Sequence, residues 1–255
     1  MHHYHLHRDP RSSHQQIIGH VLRLRRQPVL DVGAAQGILG QLLQGSGLEI
    51  DAVEMHPQWA EDARPFYRRV FNNPIEDAPL PERTYQTVLC GDVLEHTVDP
   101  VAVLRRLRRA ATDDATFIVS LPNVAHLAVR MMLLFGRFPR MEKGILDKTH
   151  LHFFTRDTAE ATLREAGLRV ESASVTGVPL EELWRGGEGR LLFRAMRKMQ
   201  HAALALMPRV FGYQWVFVAR PSDEIARNDA LIAAAEPAAR GAGADPSSTS
   251  APAAA

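Results

Sequence analysis

The segment Pro28-Val-Leu-Asp-Val-Gly-Ala-Ala-Gln-Gly37 narrows the fold more than any other stretch of the chain. A short apolar run ends in a glycine turn, and Ile38 to Gln44 then continues as a helix. Gly33 and Gly37 let the backbone turn sharply and let a ligand lie against it. The alternation continues. Glu49 to Glu54 reads as a strand, Trp59 to Phe71 as a helix, Thr87 to Cys90 as a strand and Pro100 to Ala110 as a helix. Ala115 to Ser120 reads as a strand, and Thr155 to Ala166 as a helix closed by Gly167. Arg169 to Thr176 is a strand, Glu188 to Met207 a long helix and Gln214 to Ala219 a final strand. Strands and helices at this spacing imply an α/β fold, with a mostly parallel sheet and helices on both faces. Ligands in such sheets bind beyond the carboxyl ends of the strands, so function is expected just after each strand.

Composition removes several classes. A chain of 255 residues gives one or two domains with enough length to bury a core. Hydrophobic residues at 45% and charged residues at 23% exclude a wholly disordered, collagenous or fibrous chain. The 30 basic and 29 acidic residues nearly cancel, which gives no global pull toward nucleic acid or anionic membrane. Only three of the basic residues are lysines, Lys143, Lys148 and Lys198, a bias we read as genomic rather than functional. Cys90, the single cysteine, cannot form an internal disulfide, which points to a reducing compartment and a cytoplasmic location. No run reaches the ~18 apolar residues of a membrane helix. The longest candidate, Leu127 to Phe135, is interrupted by Arg130, and no apolar N-terminal run suggests a signal peptide. His2, His3, His5 and His7 read as a tag remnant or an adventitious metal binder. Residues 221–255, rich in Ala, Pro, Ser and Gly, are expected to form a disordered tail, with a short helix at Glu224 to Ala235 as an alternative.

The glycine turn is not a phosphate loop. A dinucleotide turn needs Gly-x-Gly-x-x-Gly, and counted from Gly33 its later glycines fall on Ala35 and Ile38. A Walker loop needs Gly-Lys-Ser/Thr, which is missing here. Glu54, at the end of the second strand, is a carboxylate able to accept two hydrogen bonds from a ribose diol.

Asp31-x-Gly-x-Ala-x-Gly37, Glu54 and Cys90-Gly-Asp-Val-Leu-Glu-His96 together resemble the class I S-adenosylmethionine-dependent methyltransferases, a likeness running from Pro28 to Ala219. The family's usual middle glycine is Ala35 here. The resemblance implies a Rossmann-like domain over residues 1–220. Its sheet would have seven strands, the last antiparallel beside the fifth. A helix over residues 12–26 would cover the cofactor, and a substrate-side insertion would span about 123–154. It implies S-adenosylmethionine as cofactor and S-adenosylhomocysteine as product. Asp31, Gly33, Ala34, Ala35, Gln36 and Gly37 would line the methionine part, and Glu54 would hold the ribose. Met55 would flank the adenine, and the Asn72 to Asp77 stretch would offer Asn73, Ile75 or Glu76 to it, with Ile75 preferred. Gly91, Asp92 and Val93 would lie under the sulfonium.

Methyl transfer needs a nucleophile in line with the S–CH3 bond, and a hydroxyl nucleophile needs a base, most often His. Gly144 to Thr155 is similar to the Asp-x-Thr-His-Leu-x-Phe-Phe-Thr signature of bacterial methyltransferases of glycan and natural-product pathways. That likeness singles out His150 as the base or a substrate-orienting group. The plainer alternative is a structural His that caps the Thr155 helix or ties down its loop. His152, two residues on, would point the other way. His96 would pack near the cofactor or cap a turn. The expected site holds no metal; the alternative is a divalent ion on Asp92, Glu95 and His96, as the corresponding triad implies in ubiquinone-type O-methyltransferases. Asp147 and Lys148 could contact substrate or form an exposed ion pair. Asn123 to Met141, with Met131, Leu133, Leu134, Phe135 and Phe138 among its arginines, is read as a mobile lid, with a core helix or membrane-surface docking as alternatives. Arg105, Arg106, Arg108 and Arg109 read as a solvated helix face rather than a nucleic-acid patch.

The expected activity is O-methylation of a sugar, glycolipid or secondary-metabolite hydroxyl, with a small-molecule acceptor, no nucleic-acid partner and no transmembrane segment. Its rivals are a quinone- or lipid-type O-methyltransferase that associates with membranes, and a methyltransferase fold that binds without turnover. A nicotinamide dehydrogenase is disfavoured by the glycine pattern.

Overall fold

The computed structural model describes residues 11–180 and 191–222. The N-terminal histidines, residues 188–190 of the long helix, and the tail and helix expected beyond 222 lie outside the described residues. Seven strands form one sheet: β1 (Val29–Val32), β2 (Ile50–Val53), β3 (Arg69–Phe71), β4 (Tyr85–Gly91), β5 (Ala111–Pro122), β6 (Leu168–Val175) and β7 (Gln214–Pro221). Their order is β3-β2-β1-β4-β5-β7-β6. The first five are parallel, and β7 runs antiparallel between β5 and β6. The helices are α1 (Ser13–Leu24), α2 (Ile38–Leu42), α3 (Pro57–Ala63), α4 (Pro100–Ala110), α5 (Leu127–Leu134), α6 (Arg156–Glu165), α7 (Leu191–Leu206) and α8 (Pro208–Phe211).

The strands alternate their side chains between two apolar layers, as period-two geometry requires. Leu30, Val32, Val88, Cys90, Phe117 and Val119 meet Val103, Leu104 and Leu107 of α4 and Leu163 of α6 on one face. Val29, Ile50, Leu89, Ile118 and Val216 meet Ile17, Ile18 and Val21 of α1 and Leu39 of α2 on the other. A sheet covered on both sides buries its central strands throughout, and β1 and β2 are buried at every position, Asp31 and Asp51 included.

Two expectations are corrected. The helix read over Trp59 to Phe71 ends at Ala63; a 3-10 turn, Arg64–Phe66, follows, and the chain then enters β3. Pro65 has no N–H to extend the α-helix. Arg68 is held to Asp51 beside β2 by two hydrogen bonds of 2.9 Å, which sets the chain at the sheet edge. The arginines of α4 are not simply a solvated face: Arg105 and Arg108 donate to the Glu165 and Ala166 carbonyls at the end of α6, each at 3.1 Å, and Arg106 donates to the Ala78 carbonyl.

Candidate active site

A pocket opens where β1, β4 and β5 end. Its walls are Asp31, Gly33, Ala34 and Ala35 from the first turn, Gly91, Asp92 and Ser120 from the neighbouring strand ends, Ile38 and Leu39 of α2, and Ser13, His14 and Ile17 of α1. Six of the residues expected to bind cofactor therefore face one space, with the helix expected to cover them forming part of its wall.

The turn is tightly specified. Gly33 has φ 70°. A Cβ there would meet Val93 Cγ2 at 2.7 Å, so Val93 serves as the floor of the turn. Gly37, φ 86°, caps α2, and a Cβ on it would sit 2.8 Å from the Phe66 ring. Ala35 occupies the left-handed region at φ 47°, the conformation that a glycine would take without strain. Its amide donates to Glu54 Oε2 at 2.8 Å, and the His56 amide donates to Oε1 at 2.8 Å. Glu54 is thus locked just past the end of β2, with each carboxylate oxygen keeping a further lone pair. Met55 is 68% exposed beside it. Asn72 donates to the Glu54 and Met55 carbonyls. Ile75 is packed into the apolar layer with Phe71 and Ala78, while Asn73 and Glu76 lie closer to solvent.

Asp31 is fully buried, and its carboxyl is pushed up to about 7, chiefly by burial; Tyr67 opposes the rise through a hydrogen bond, and the charge of Glu54 adds to it. Asp92 sits in the left-handed region at φ 53°. Its Oδ1 accepts from the Ser120 hydroxyl and its Oδ2 from the Gln214 amide, both at 2.7 Å. The sequence reading missed Tyr67, Ser120 and Gln214. Each reaches the site from an element distant in sequence and carries no local motif.

Beyond Asp92, a 3-10 turn, Leu94–His96, faces the 144–155 loop. The Glu95 carbonyl accepts from the Leu151 amide at 2.8 Å and the His152 amide at 3.2 Å, which pins the loop against the turn. His150 is 6% exposed. Its Nδ1 lies 3.1 Å from the Ile145 carbonyl, which can only accept, so Nδ1 carries the proton and Nε2 the lone pair. That Nε2 faces Glu95 Oε1 at 4.0 Å. Burial, followed by the charge of His96, holds His150 below the usual imidazole range. His96 places Nδ1 3.3 Å from the Thr149 carbonyl, and its ring meets His150 edge-on at 4.8 Å. Burial, then the charge of Asp92, pushes the Glu95 carboxyl well up.

His152 donates to the Val98 carbonyl at 3.1 Å, away from this cluster. Asp147 accepts from the Thr149 amide and hydroxyl, and Lys148 pairs with Glu142 at 2.8 Å, both on exposed side chains. The divalent-ion alternative changes its membership. Among the described residues the donors that converge are those of Glu95, His96 and His150, within 4.8 Å of one another, and Asp92 is not among them.

A seven-stranded sheet with an inverted last strand, a glycine turn over a cleft and an acid at the end of β2 define a class I, S-adenosylmethionine-dependent methyltransferase. The family model for a methyltransferase domain matches residues 3–173, and the chain belongs to that family. It is 26% identical over 199 residues to a ubiquinone biosynthesis O-methyltransferase of Xanthomonas euvesicatoria pv. vesicatoria, covering 73% of this chain and 79% of the relative. Among solved structures, a SAM-dependent methyltransferase from Archaeoglobus fulgidus superposes with TM-score 0.56 at 16% identity, covering 82% of this chain and 95% of the other. The 1,6-didemethyltoxoflavin-N1-methyltransferase of Burkholderia thailandensis, with bound S-adenosylhomocysteine, superposes with TM-score 0.54 at 16% identity, covering 84% and 80%. Among the described residues no helix is long and apolar enough to cross a membrane.

Proposed function

We propose that the chain transfers the methyl group of S-adenosylmethionine to a hydroxyl of a small amphiphilic acceptor, such as a sugar, glycolipid or related secondary metabolite. In this reading Asp31 and residues 33–37 hold the methionine end, and Glu54 holds the ribose. Met55 and the 72–77 stretch flank the adenine, and Asp92 and Val93 lie under the sulfonium. The acceptor hydroxyl loses its proton at the cluster next to Asp92. The observation that carries this reading is the placement of the two imidazoles: Nδ1 of His96 lies 3.3 Å from the Thr149 carbonyl and Nδ1 of His150 lies 3.1 Å from the Ile145 carbonyl, which assigns the proton to Nδ1 and leaves Nε2 as acceptor in each. His96, at the surface, is the base, and His150, buried beneath it, orients it. His150, expected as the base or as a substrate-orienting group, takes the orienting part in this reading, because its Nε2 faces Glu95. A hydroxyl needs such a base because its oxygen is a poor nucleophile while protonated.

The test begins with calorimetric binding of S-adenosylhomocysteine to the full chain, with Glu54→Ala as control. Micromolar binding lost in the variant supports the cofactor site, and no binding at accessible concentrations overturns it in favour of a non-catalytic binding fold. Acceptors are then screened with deuterated S-adenosylmethionine, and the product is read by mass and NMR. A methyl ether supports O-transfer. An N-methyl product, or turnover unchanged in His96→Ala, overturns the hydroxyl–base reading.

A second reading, a quinone- or lipid-type O-methyltransferase acting at a membrane surface, is favoured by the exposed Leu133, Leu134, Phe135 and Phe138 on and after α5, beside Arg130 and Arg137. Co-flotation with vesicles containing phosphatidylglycerol, lost on Leu134→Ser/Phe135→Ser, would establish it; an unbound chain would remove it.

A further inference from the structure

We propose that Ser13, in the first turn of α1, binds the α-carboxylate at the methionine end of the cofactor. This assignment rests on the cofactor reading above and extends it to a residue outside every motif.

The pocket wall is acidic. Asp31 and Asp92 both line it, and among the described residues it holds no lysine or arginine. An amino-acid end bound there brings one cation and one anion. Asp31 suits the ammonium, whereas the carboxylate needs hydrogen-bond donors away from other carboxylates. Most of the glycine turn's own amides are committed elsewhere. Gly33 and Ala34 donate to the Val53 carbonyl at 2.9 and 3.1 Å, Ala35 donates to Glu54, and Gly37 donates to the Ala34 carbonyl at 2.9 Å. The Asp92 amide is held by Ser120, and the Gly40 amide of the short α2 by Tyr67.

The first turn of α1 supplies what is missing. Ser12 caps the helix: its Oγ accepts the Gln15 amide at 3.3 Å and its carbonyl accepts the Gln16 amide at 3.0 Å. Ser13 is the first helical residue, so its amide has no acceptor within the helix. Its side chain is a second, separate donor. The residue is only 7% exposed and lines the pocket, yet among the described residues neither its hydroxyl nor its amide has a hydrogen-bond partner. Buried polar groups in folded proteins nearly always find one. Hydroxyl, amide and the positive end of a twelve-residue helix together make an anion site.

This turn is also held in place. Gln16 donates to the Val175 carbonyl at 3.1 Å and the Arg11 carbonyl at 3.0 Å, and it accepts the Ser174 hydroxyl at 2.5 Å. Ile17 is fully buried beside it. Donors fixed before the ligand arrives cost little further ordering on binding. Arg11 is exposed and outside the wall, and it donates to the His201 carbonyl at 3.5 Å. The acid is therefore read by the covering helix and the ammonium by the floor of the cleft, so a ligand without the acid binds weakly.

The experiment measures two ligands by calorimetry on the full chain: S-adenosylhomocysteine and its decarboxylated analogue, which keeps the adenosine, thioether and ammonium. The parent is expected to prefer S-adenosylhomocysteine by about 10- to 100-fold, the span of a charge-assisted hydrogen bond. Ser13→Ala should weaken S-adenosylhomocysteine about 10-fold and leave the analogue unchanged. Ser13→Asp suits a helix N-terminus and so keeps the fold. It should weaken S-adenosylhomocysteine by about 100-fold through like charges and leave the analogue bound at least as well as in the parent. Arg11→Ala should change neither ligand. Retained binding of the analogue shows that the variants are folded. Equal affinity of the parent for the two ligands overturns the carboxylate assignment and leaves the cofactor reading standing. The same holds for a loss that is equal for both ligands in Ser13→Ala and Ser13→Asp, which marks a structural role, and for a preference that disappears in Arg11→Ala but survives Ser13→Asp. Binding of neither ligand to the parent overturns the cofactor reading and this assignment with it.

Discussion

Tyr67 donates a 2.5 Å hydrogen bond to the buried carboxylate of Asp31 while its own oxygen accepts the Gly40 amide at 3.0 Å. The ring lies so close that a Cβ on Gly40 would meet Tyr67 Cζ at 2.6 Å, so α2 carries its glycine for this contact. With a carboxyl at about 7, Asp31 holds a fraction of a proton at neutral pH in the free protein. In the proposed binding mode, the methionine ammonium of the cofactor would favour the ionised form. S-Adenosylhomocysteine binding is therefore expected to tighten as pH rises from 6 to 8 and to release a proton, read by calorimetry in buffers of different ionisation enthalpy. Tyr67→Phe removes the group that lowers this pKa and moves the midpoint higher. A pH-independent affinity would remove Asp31 from the methionine site.

The same shift has a stability consequence of opposite sign. The folded pKa lies above the unfolded value of 3.8, so the native state holds the proton more tightly than the unfolded chain. Stability falls as pH rises between 3.8 and about 7, by at most about 1.4 kcal/mol per unit, and levels off above. Asp31→Asn is expected to lose cofactor binding yet melt higher than the parent at pH 8, by differential scanning calorimetry. A variant melting lower at pH 8 would contradict the burial argument.

Gln214 stands 122 residues from Asp92, and its side chain fixes one of that carboxylate's oxygens. A hydrogen bond to a charged group contributes about 1.5–3 kcal/mol, so Gln214→Ala should weaken S-adenosylhomocysteine binding by about 10- to 100-fold with little change in fold. Gln214→Glu should be worse, because it sets two carboxylates against each other. An affinity unchanged in both variants would show that Asp92 needs no outside support.

The legible part of this protein was what one segment encodes by itself. The glycine turn, Glu54 and the β4 motif lie each within a few residues, and Gly167 marks the end of α6. Six strands were readable from apolar runs. The seventh, β3, is three residues long with an exposed-to-buried gradient, too short for a pattern to register against the preceding helix. The site partners that escaped, Tyr67, Ser120 and Gln214, are ordinary polar residues whose meaning comes from strand order. β7 inserts beside β5, and that insertion alone carries Gln214 to Asp92. The His150 motif was visible, but its burial against Glu95 was not. Two adjoining loops fold onto one another there, and no spacing rule predicts that contact.

Gly33 and Val93 test the turn as a pair. Gly33→Ala imposes a left-handed backbone on a residue with a Cβ, about 1–2 kcal/mol, and drives that Cβ into Val93. Urea unfolding should show the single variant destabilised by about 2–4 kcal/mol, with overpacking adding to the backbone strain. Val93→Ala in the same chain should restore part of the loss, since it removes the 2.7 Å contact with Cγ2 but leaves Val93 Cβ at 3.1 Å and the backbone strain in place. Additive effects of the two substitutions would mean that Val93 relaxes away and does not support the turn.

Cofactor binding is expected to reach the insertion through a short relay. Gln214 holds Asp92, the carbonyl of the preceding residue, Tyr213, accepts the Asn123 amide at 2.9 Å, and the Asn123 side chain donates to the Gly212 carbonyl at 2.8 Å. Asn123 thus ties the start of the insertion to the base of β7, whose Gln214 holds Asp92 in the pocket wall. Past it, α5 buries only Val129, and Leu134 and Phe135 are each 73% exposed, so the core-helix alternative does not describe it. A segment with so few buried contacts opens at low cost. Trypsin should cut after Arg137 and Arg140 several times faster in the free chain than in the presence of saturating S-adenosylhomocysteine, with Gln214→Ala erasing the difference, as followed by mass spectrometry of the fragments. Equal rates with and without ligand in the parent chain would mean that the insertion is a fixed projection and not a lid.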